Sequence, residues 1–183
     1  MRPRSSAWLR NREAELGSAL ERLPAFAGAP VPVYFKPRLT VRGRRLESGG
    51  GLGTEVHAAS DLRRRIIVLD SALRGGELRR VLAHELFHFA WLRLGNPARA
   101  SWTALIGAEI RAGARGELGW SAEWRKEALP LDKRGYLCES FCDSAAYVYA
   151  GIERHAEFTL PARYRRRRLE WFRNQFGSGR IRI

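Results

Sequence analysis

A charged triplet inside an otherwise apolar segment is the feature that most constrains this chain. Residues 84–88 read His-Glu-Leu-Phe-His, and the apolar residues Val81, Leu82, Phe89 and Ala90 flank them. Burying two imidazoles and a carboxylate without partners would cost several kcal/mol. The sequence therefore predicts a fold in which these polar groups share a partner.

The triplet is predicted to lie in a helix that directly follows a strand. Residues 65–70, Arg-Ile-Ile-Val-Leu-Asp, form a short β-branched run, which is typical of a strand. The helix that follows covers residues 77–94, and Gly95 and Pro97 end it. We expect this strand to be the edge strand that borders the functional cleft, where it would pair with an extended peptide.

The spacing of the two histidines fits a zinc ion. His84 and His88 are four residues apart, so they project from one helical face about one turn from each other. Zinc lowers the pKa of a bound water to about 7, and Glu85 lies beside the pair, where it would take a proton from that water. The alternative is a buried helix that carries the three residues by chance.

Zinc needs a third protein ligand, and the sequence restricts its type. No histidine lies between His88 and His155, and Leu94 occupies the position six residues after His88, which excludes a third histidine there. A glutamate remains, and Glu139 lies on a predicted second helix with Asp143 four residues later. Other carboxylates stay open as rival ligands: Glu109, Glu117, Glu123 and Glu127.

In these residues the sequence resembles the gluzincin metallopeptidases, the thermolysin-like group. In that group one helix carries two histidine ligands and the general base. A second helix carries a glutamate ligand and an aspartate that hydrogen-bonds a zinc-bound histidine. The resemblance implies that Zn²⁺ is bound by His84, His88 and Glu139, that Glu85 is the general base, and that Asp143 supports a histidine ligand.

The resemblance covers residues 65–94 and 136–151, about a quarter of the chain. Cys138 stands where an asparagine precedes the glutamate in thermolysin, and the chain is much shorter than that enzyme. A compact member is therefore implied, closer in size to the small regulatory peptidases of the ImmA/IrrE type.

Gluzincins also use a histidine or a tyrosine to stabilise the oxyanion opposite zinc. His155 is our candidate for this role. Tyr136 and Tyr147 are alternatives, and nothing in the spacing separates the three.

The only two cysteines are Cys138 and Cys142. They are four residues apart, so a helix would stack them on one face, and we expect them to be small core residues outside any disulfide framework. A structural zinc site of two cysteines and two histidines is the alternative.

The chain carries a formal net charge of +14 and a pI of about 11.1, and arginine supplies most of the positive charge. Such a field attracts polyanions or acidic proteins. Residues 165–168, four arginines, are predicted to ring the start of a helix, solvated or facing nucleic acid or an acidic protein. Base composition in a GC-rich genome explains the same arginine bias without any partner.

We expect one α+β domain over residues 1–183, with a small mixed or antiparallel sheet in the N-terminal half and helices in the C-terminal half. Zinc would lie between the two motif helices. An N-terminal helix is expected from Ser5 or Ser6 to Leu23, with an apolar face formed by Trp8, Leu9, Leu16, Leu20 and Leu23. The other predicted elements are strands at 31–35, 38–46 with a turn at Gly43, and 54–58, a glycine-rich loop at 48–53, and helices at 98–112, 133–150 and 161–176.

The predicted function is a zinc metallopeptidase that acts on a peptide or protein substrate. The alternative is a basic nucleic-acid-binding or regulatory protein whose zinc site is structural or degenerate. Glu85 favours the first, because a structural site needs no base beside an open coordination position. The sequence offers neither a signal-peptide hydrophobic region nor roughly 18 consecutive apolar residues, so we expect a cytoplasmic protein.

Overall fold

The computed structural model describes residues 6–43, 45–177 and 179–183, and it describes side chains from residue 12 onward. Within these residues the helices are α1 (Ser6–Glu21), α2 (Gly75–Arg93), α3 (Asn96–Arg111), α4 (Trp120–Glu127), α5 (Lys133–Tyr149) and α6 (Ala162–Phe176). The strands are β1 (Phe26–Ala27), β2 (Val33–Lys36), β3 (Leu39–Arg42), β4 (Arg45–Ser48), β5 (Thr54–Glu55), β6 (Ala58–Asp61), β7 (Ile66–Asp70) and β8 (Ile181–Arg182).

The predicted α+β class is confirmed, with small sheets in the N-terminal half and helices in the C-terminal half. The sheet beside the motif helix has the strand order β2-β7-β6, and β7 is parallel to β2 and antiparallel to β6. A second, antiparallel sheet has the order β4-β3-β5, and the predicted turn at Gly43 joins β3 to β4 with a φ of 60°. Glycine adopts this left-handed conformation without steric cost.

The prediction that the strand before the motif helix is an edge strand is wrong. β7 is the middle strand of its sheet, and Ile67 and Leu69 are fully buried in the core. β2 and β6 are the edge strands, and Ala58, the first residue of β6, lines the cleft. The continuous apolar run of β7 is explained by burial on both faces, which is the environment of a central strand.

Helix α2 is buried along the motif, and every residue from Arg80 to Phe87 is shielded from solvent. It packs most extensively against α5. Aromatic rings stabilise this contact, with Phe87 of α2 stacked on Tyr149 of α5 at 5.4 Å between centroids and tilted against Phe141 of α5 at 5.8 Å. The two predicted motif helices are therefore held side by side by an aromatic core.

Several predicted elements differ from the structure. Helix α4 and the short parallel pair of β1 and β8 were not among the predicted elements. Helix α1 ends before Leu23, which is buried in the core. Leu20 is 41% exposed and so does not belong to the buried face that was predicted. Ser5 and the side chains of Trp8 and Leu9 lie outside the described residues. No helix among the described residues is both long and apolar enough to cross a membrane.

The prediction that the four arginines at 165–168 ring a solvated helix is wrong for two of them. Arg168 is completely buried, and its guanidinium donates hydrogen bonds to Glu109 Oε2 at 2.7 Å and Glu117 Oε2 at 2.7 Å. Arg165 donates to the main-chain oxygens of Phe158 and Leu160. Arg166 and Arg167 are exposed. Half of the run is therefore structural.

We predict that Arg168→Met lowers the free energy of unfolding by about 3–5 kcal/mol, because it leaves the Glu109 and Glu117 carboxylates buried without their cation. Arg166→Met, on the exposed side of the same helix, is the matched control and should change it by less than about 0.5 kcal/mol. Urea unfolding followed by circular dichroism measures both. Equally small effects in the two variants would contradict a structural role for Arg168.

Candidate metal centre

Three possible ligand atoms converge between α2 and α5. The Nε2 atoms of His84 and His88 are 3.1 Å apart. Glu139 Oε2, from α5, lies 3.3 Å from His84 Nε2 and 3.8 Å from His88 Nε2. The helical spacing of four residues aligns the imidazoles, and the packing of α2 on α5 brings the carboxylate to them.

The separations and the chemistry of this trio fit zinc. A tetrahedral zinc ion with ligand atoms about 2.0–2.1 Å away holds those atoms about 3.3 Å apart. The three observed separations, 3.1, 3.3 and 3.8 Å, lie around that value. Two imidazoles and one carboxylate are also the ligand set of catalytic zinc sites, in which the fourth position stays open.

The rival carboxylates lie elsewhere. Glu109 and Glu117 bind the buried Arg168 guanidinium. Glu123 Oε2 accepts a hydrogen bond from the Thr159 hydroxyl, and Glu127 is exposed. Among the five candidate glutamates, the structure brings Glu139 to the histidines.

The Asp143 carboxylate fixes the orientation of His84. Its Oδ1 lies 2.7 Å from His84 Nδ1, and both residues are buried. A carboxylate can only accept this bond, so Nδ1 carries a proton and Nε2 is the nitrogen that faces the trio. The other oxygen, Oδ2, accepts a hydrogen bond of 2.9 Å from the main-chain N–H of Ala122 in α4.

The second histidine has partners of another kind. His88 Nδ1 lies 3.5 Å from Cys138 Sγ and 3.4 Å from Cys142 Sγ. A hydrogen bond from Cys142 lowers the pKa of the Cys138 thiol, and the hydrogen bond and charge of His88 lower it further. Together these effects outweigh burial, which raises the pKa, and bring it to about 6. Burial raises the pKa of Cys142 well above its ordinary value. The cysteines thus pack in the core, and they also contact one of the predicted metal ligands.

The surroundings of Glu139 favour the ionised form of its carboxyl group. Burial on its own would raise the pKa of this carboxyl, but the hydrogen bond from His84 and the charges of His88 and Arg125 outweigh it and lower the pKa to about 2. Burial would likewise lower the pKa of His84, and the charge and hydrogen bond of Asp143 raise it well above its ordinary value. The site is therefore built to hold positive charge.

Glu85 lies next to the trio and is held by the edge strand. The Ser60 hydroxyl of β6 donates to Glu85 Oε2 and is also 3.2 Å from the Glu85 main-chain oxygen. The Glu85 side chain lines the same cleft as His84. The predicted base is thus aimed at the cleft by a residue, Ser60, that no sequence pattern marks.

The cleft above the motif has a volume of about 350 Å³. One wall is the run of residues 55–58 that leads into β6, and the opposite wall is α4, with Trp120 and Trp124. These two residues are 49% and 60% exposed, whereas Trp102 is fully buried.

The candidate oxyanion stabilisers are not brought to the trio. His155 lies near the N-terminal end of α2, with Nε2 3.2 Å from Glu77 Oε2, and it is not among the residues that line the cleft. The hydroxyl of the buried Tyr136 donates to Glu117 at 2.5 Å. Tyr147 packs edge-on against Phe158 at 5.1 Å.

Helix α4 is anchored to the centre by acceptors from elsewhere in the chain. Asp143 binds its third residue, Ala122, and Glu157 Oε2 accepts a hydrogen bond of 3.1 Å from the main-chain N–H of Trp120. Glu157 is itself held by the Arg80 guanidinium at 2.9 and 3.0 Å. These bonds satisfy N–H groups that a helix start leaves without intrahelical partners.

A scan against protein-family models found no match for this chain, and searches of curated proteins and of solved structures found none either. The assignment of the centre therefore depends on the geometry described above.

Gly119, before α4, lies directly against Asp143. A Cβ at this position would lie 2.2–2.4 Å from the carboxylate carbon and oxygens of Asp143, with φ of −176°, a conformation that any residue adopts. The requirement for glycine is thus steric. We predict that Gly119→Ala displaces Asp143 and weakens zinc binding about 10- to 100-fold, the usual effect of losing a carboxylate behind a histidine ligand.

Competition with a chromophoric zinc chelator would measure this change. Gly17→Ala is the matched control, because a Cβ at Gly17 meets nothing within 4 Å. Unchanged zinc affinity in Gly119→Ala would show that Asp143 does not position His84.

Proposed function

We propose that the protein is a zinc-dependent metallopeptidase. The observation that carries the proposal is the convergence of His84 Nε2, His88 Nε2 and Glu139 Oε2 within 3.8 Å, with Glu85 beside them in an open cleft. A structural zinc site is closed by four protein ligands, whereas three protein ligands leave a position for water.

Each side chain of the centre has a distinct task. His84, His88 and Glu139 would hold zinc, which lowers the pKa of a bound water to about 7 and polarises a carbonyl. Glu85 would accept the proton of the attacking water and pass it to the leaving amine. The hydrogen bond from the Ser60 hydroxyl would keep the Glu85 carboxylate turned towards the cleft.

The walls of the cleft suit an extended peptide. Among the residues that the structure describes, the edge strand β6 pairs with β7 alone, so its other side would be available for main-chain pairing with a substrate. Facing it, Trp120 and Trp124 present apolar surface that a substrate side chain would cover. A peptide between these walls would pass over His84 and Glu85.

Binding of an anionic partner is the second candidate function. A groove at the C-terminal end of α2 is lined by Arg65, Arg93 and Arg182, and its lining includes no acidic side chain. Such a groove favours nucleic acid or an acidic protein. Arg168 does not support this candidate, because it is buried.

We also propose the cytoplasm as the location of the protein, since both cysteines are free, as in a reducing compartment.

Purified protein should contain about one zinc per chain, and His84→Ala, His88→Ala or Glu139→Ala should remove most of it, because each loses one of three ligands. Glu127→Ala, the exposed rival glutamate, is the matched control and should retain it. Elemental analysis by mass spectrometry provides the measurement. Zinc that is absent from the parent protein, or equally retained in Glu139→Ala and Glu127→Ala, would refute the ligand set.

Glu85→Gln should keep the zinc and the fold while lowering peptide hydrolysis by about 100-fold or more, because the amide cannot take the proton. The assay is cleavage of a denatured-protein mixture, followed by mass spectrometry of the new termini, with and without a zinc chelator. Ser60→Ala should retain more activity than Glu85→Gln, since it removes only the support of the base. Full hydrolysis by Glu85→Gln would contradict the mechanism.

A further inference from the structure

His88 has a second ring nitrogen that faces two thiols. While Nε2 points to Glu139 and His84, Nδ1 lies 3.5 Å from Cys138 Sγ and 3.4 Å from Cys142 Sγ. The cysteines are one turn apart on α5, so their sulfur atoms lie on the same side of that helix. Two sulfurs and one nitrogen thus form a compact group on the far side of the imidazole.

The spacing of this group is that of metal ligands. The three atoms lie within 4.8 Å of one another. A tetrahedral ion about 2.0–2.1 Å from nitrogen and about 2.3 Å from sulfur separates the two by about 3.6 Å. The observed separations of 3.5 and 3.4 Å are close to this value. Little movement would be needed to admit an ion.

We propose that His88 Nδ1, Cys138 Sγ and Cys142 Sγ form a second metal site, which takes a soft, thiophilic cation of the class that includes Cu⁺ and Cd²⁺. Two sulfurs and one imidazole select soft ions over Mg²⁺ or Ca²⁺, which prefer oxygen. The site does not require the protein to be a peptidase. Cys142 is fully buried, and Cys138 is half-buried, so an ion would enter past Cys138.

The two sites share one imidazole. A neutral imidazole has a single lone pair for metals, so Nδ1 binds an ion only after its proton has left. On binding, the cysteines lose their thiol protons to solvent and the ring proton moves from Nδ1 to Nε2, so that Nε2 no longer has a lone pair for zinc. A soft ion at the thiols therefore competes with zinc for His88.

Cadmium is the probe, because thiolate-bound Cd²⁺ has a charge-transfer absorption in the ultraviolet. The chain has two cysteines and no others, so any such band reports this pair. Titration of the reduced protein should saturate the band at one thiolate-bound Cd²⁺ per chain. Cys138→Ser and Cys142→Ser should each abolish it, and His88→Ala should weaken the affinity by about 10-fold or more.

His84→Ala separates this site from the zinc trio. It removes a zinc ligand but none of the three proposed here, so the cadmium–thiolate band should survive. A protein that contains no zinc but shows the band would refute the zinc proposal and support this one. Melting curves check that each variant is folded. If Cys142→Ser does not fold, Cys138→Ser, at the half-exposed position, provides the test.

Two results would overturn the inference. One is the absence of a thiolate band in the parent protein at saturating Cd²⁺, which would leave the thiols as hydrogen-bond partners of His88. The other is equal cadmium affinity in the parent protein and in His88→Ala, which would remove the imidazole from the site.

Discussion

The carboxylate of Asp143 joins three helices at one point. From α5, its Oδ1 accepts from His84 Nδ1 of α2 and its Oδ2 accepts from the Ala122 N–H of α4. The first bond decides which nitrogen of His84 is free for metal, and the second fixes the wall of the cleft. Gly119 has no side chain, which gives the carboxylate room to make both bonds. The candidate metal centre and the wall of the cleft therefore depend on the same side chain.

The chain is strongly basic, yet its proposed catalytic centre is rich in carboxylates. Buried arginines pair with further carboxylates of the core and of the cleft wall. Arg168 binds Glu109 and Glu117, and Arg80 binds Glu157. Each pairing satisfies acidic groups that would otherwise be costly to bury or free to compete for a cation. Arginine suits this role because its fork of donors binds carboxylates through two bonds.

Local patterns predicted part of this architecture. The spacing of His84 and His88, and that of Glu139 and Asp143, follows the helical period, so the sequence could place each pair on one helical face. Helix α4 escaped prediction because its first N–H groups are bound by Asp143 and Glu157, which are distant in the chain. Arg168 was misassigned because its acidic partners come from other segments. Ser60 likewise meets Glu85 only through the folding of β6 onto α2.

Diffraction data collected at the zinc absorption edge from crystals grown with zinc would test the central claim most directly. One anomalous peak is expected about 2.0–2.2 Å from His84 Nε2, His88 Nε2 and a Glu139 oxygen. A peak at Cys138 and Cys142 alone, or no peak between α2 and α5, would contradict it.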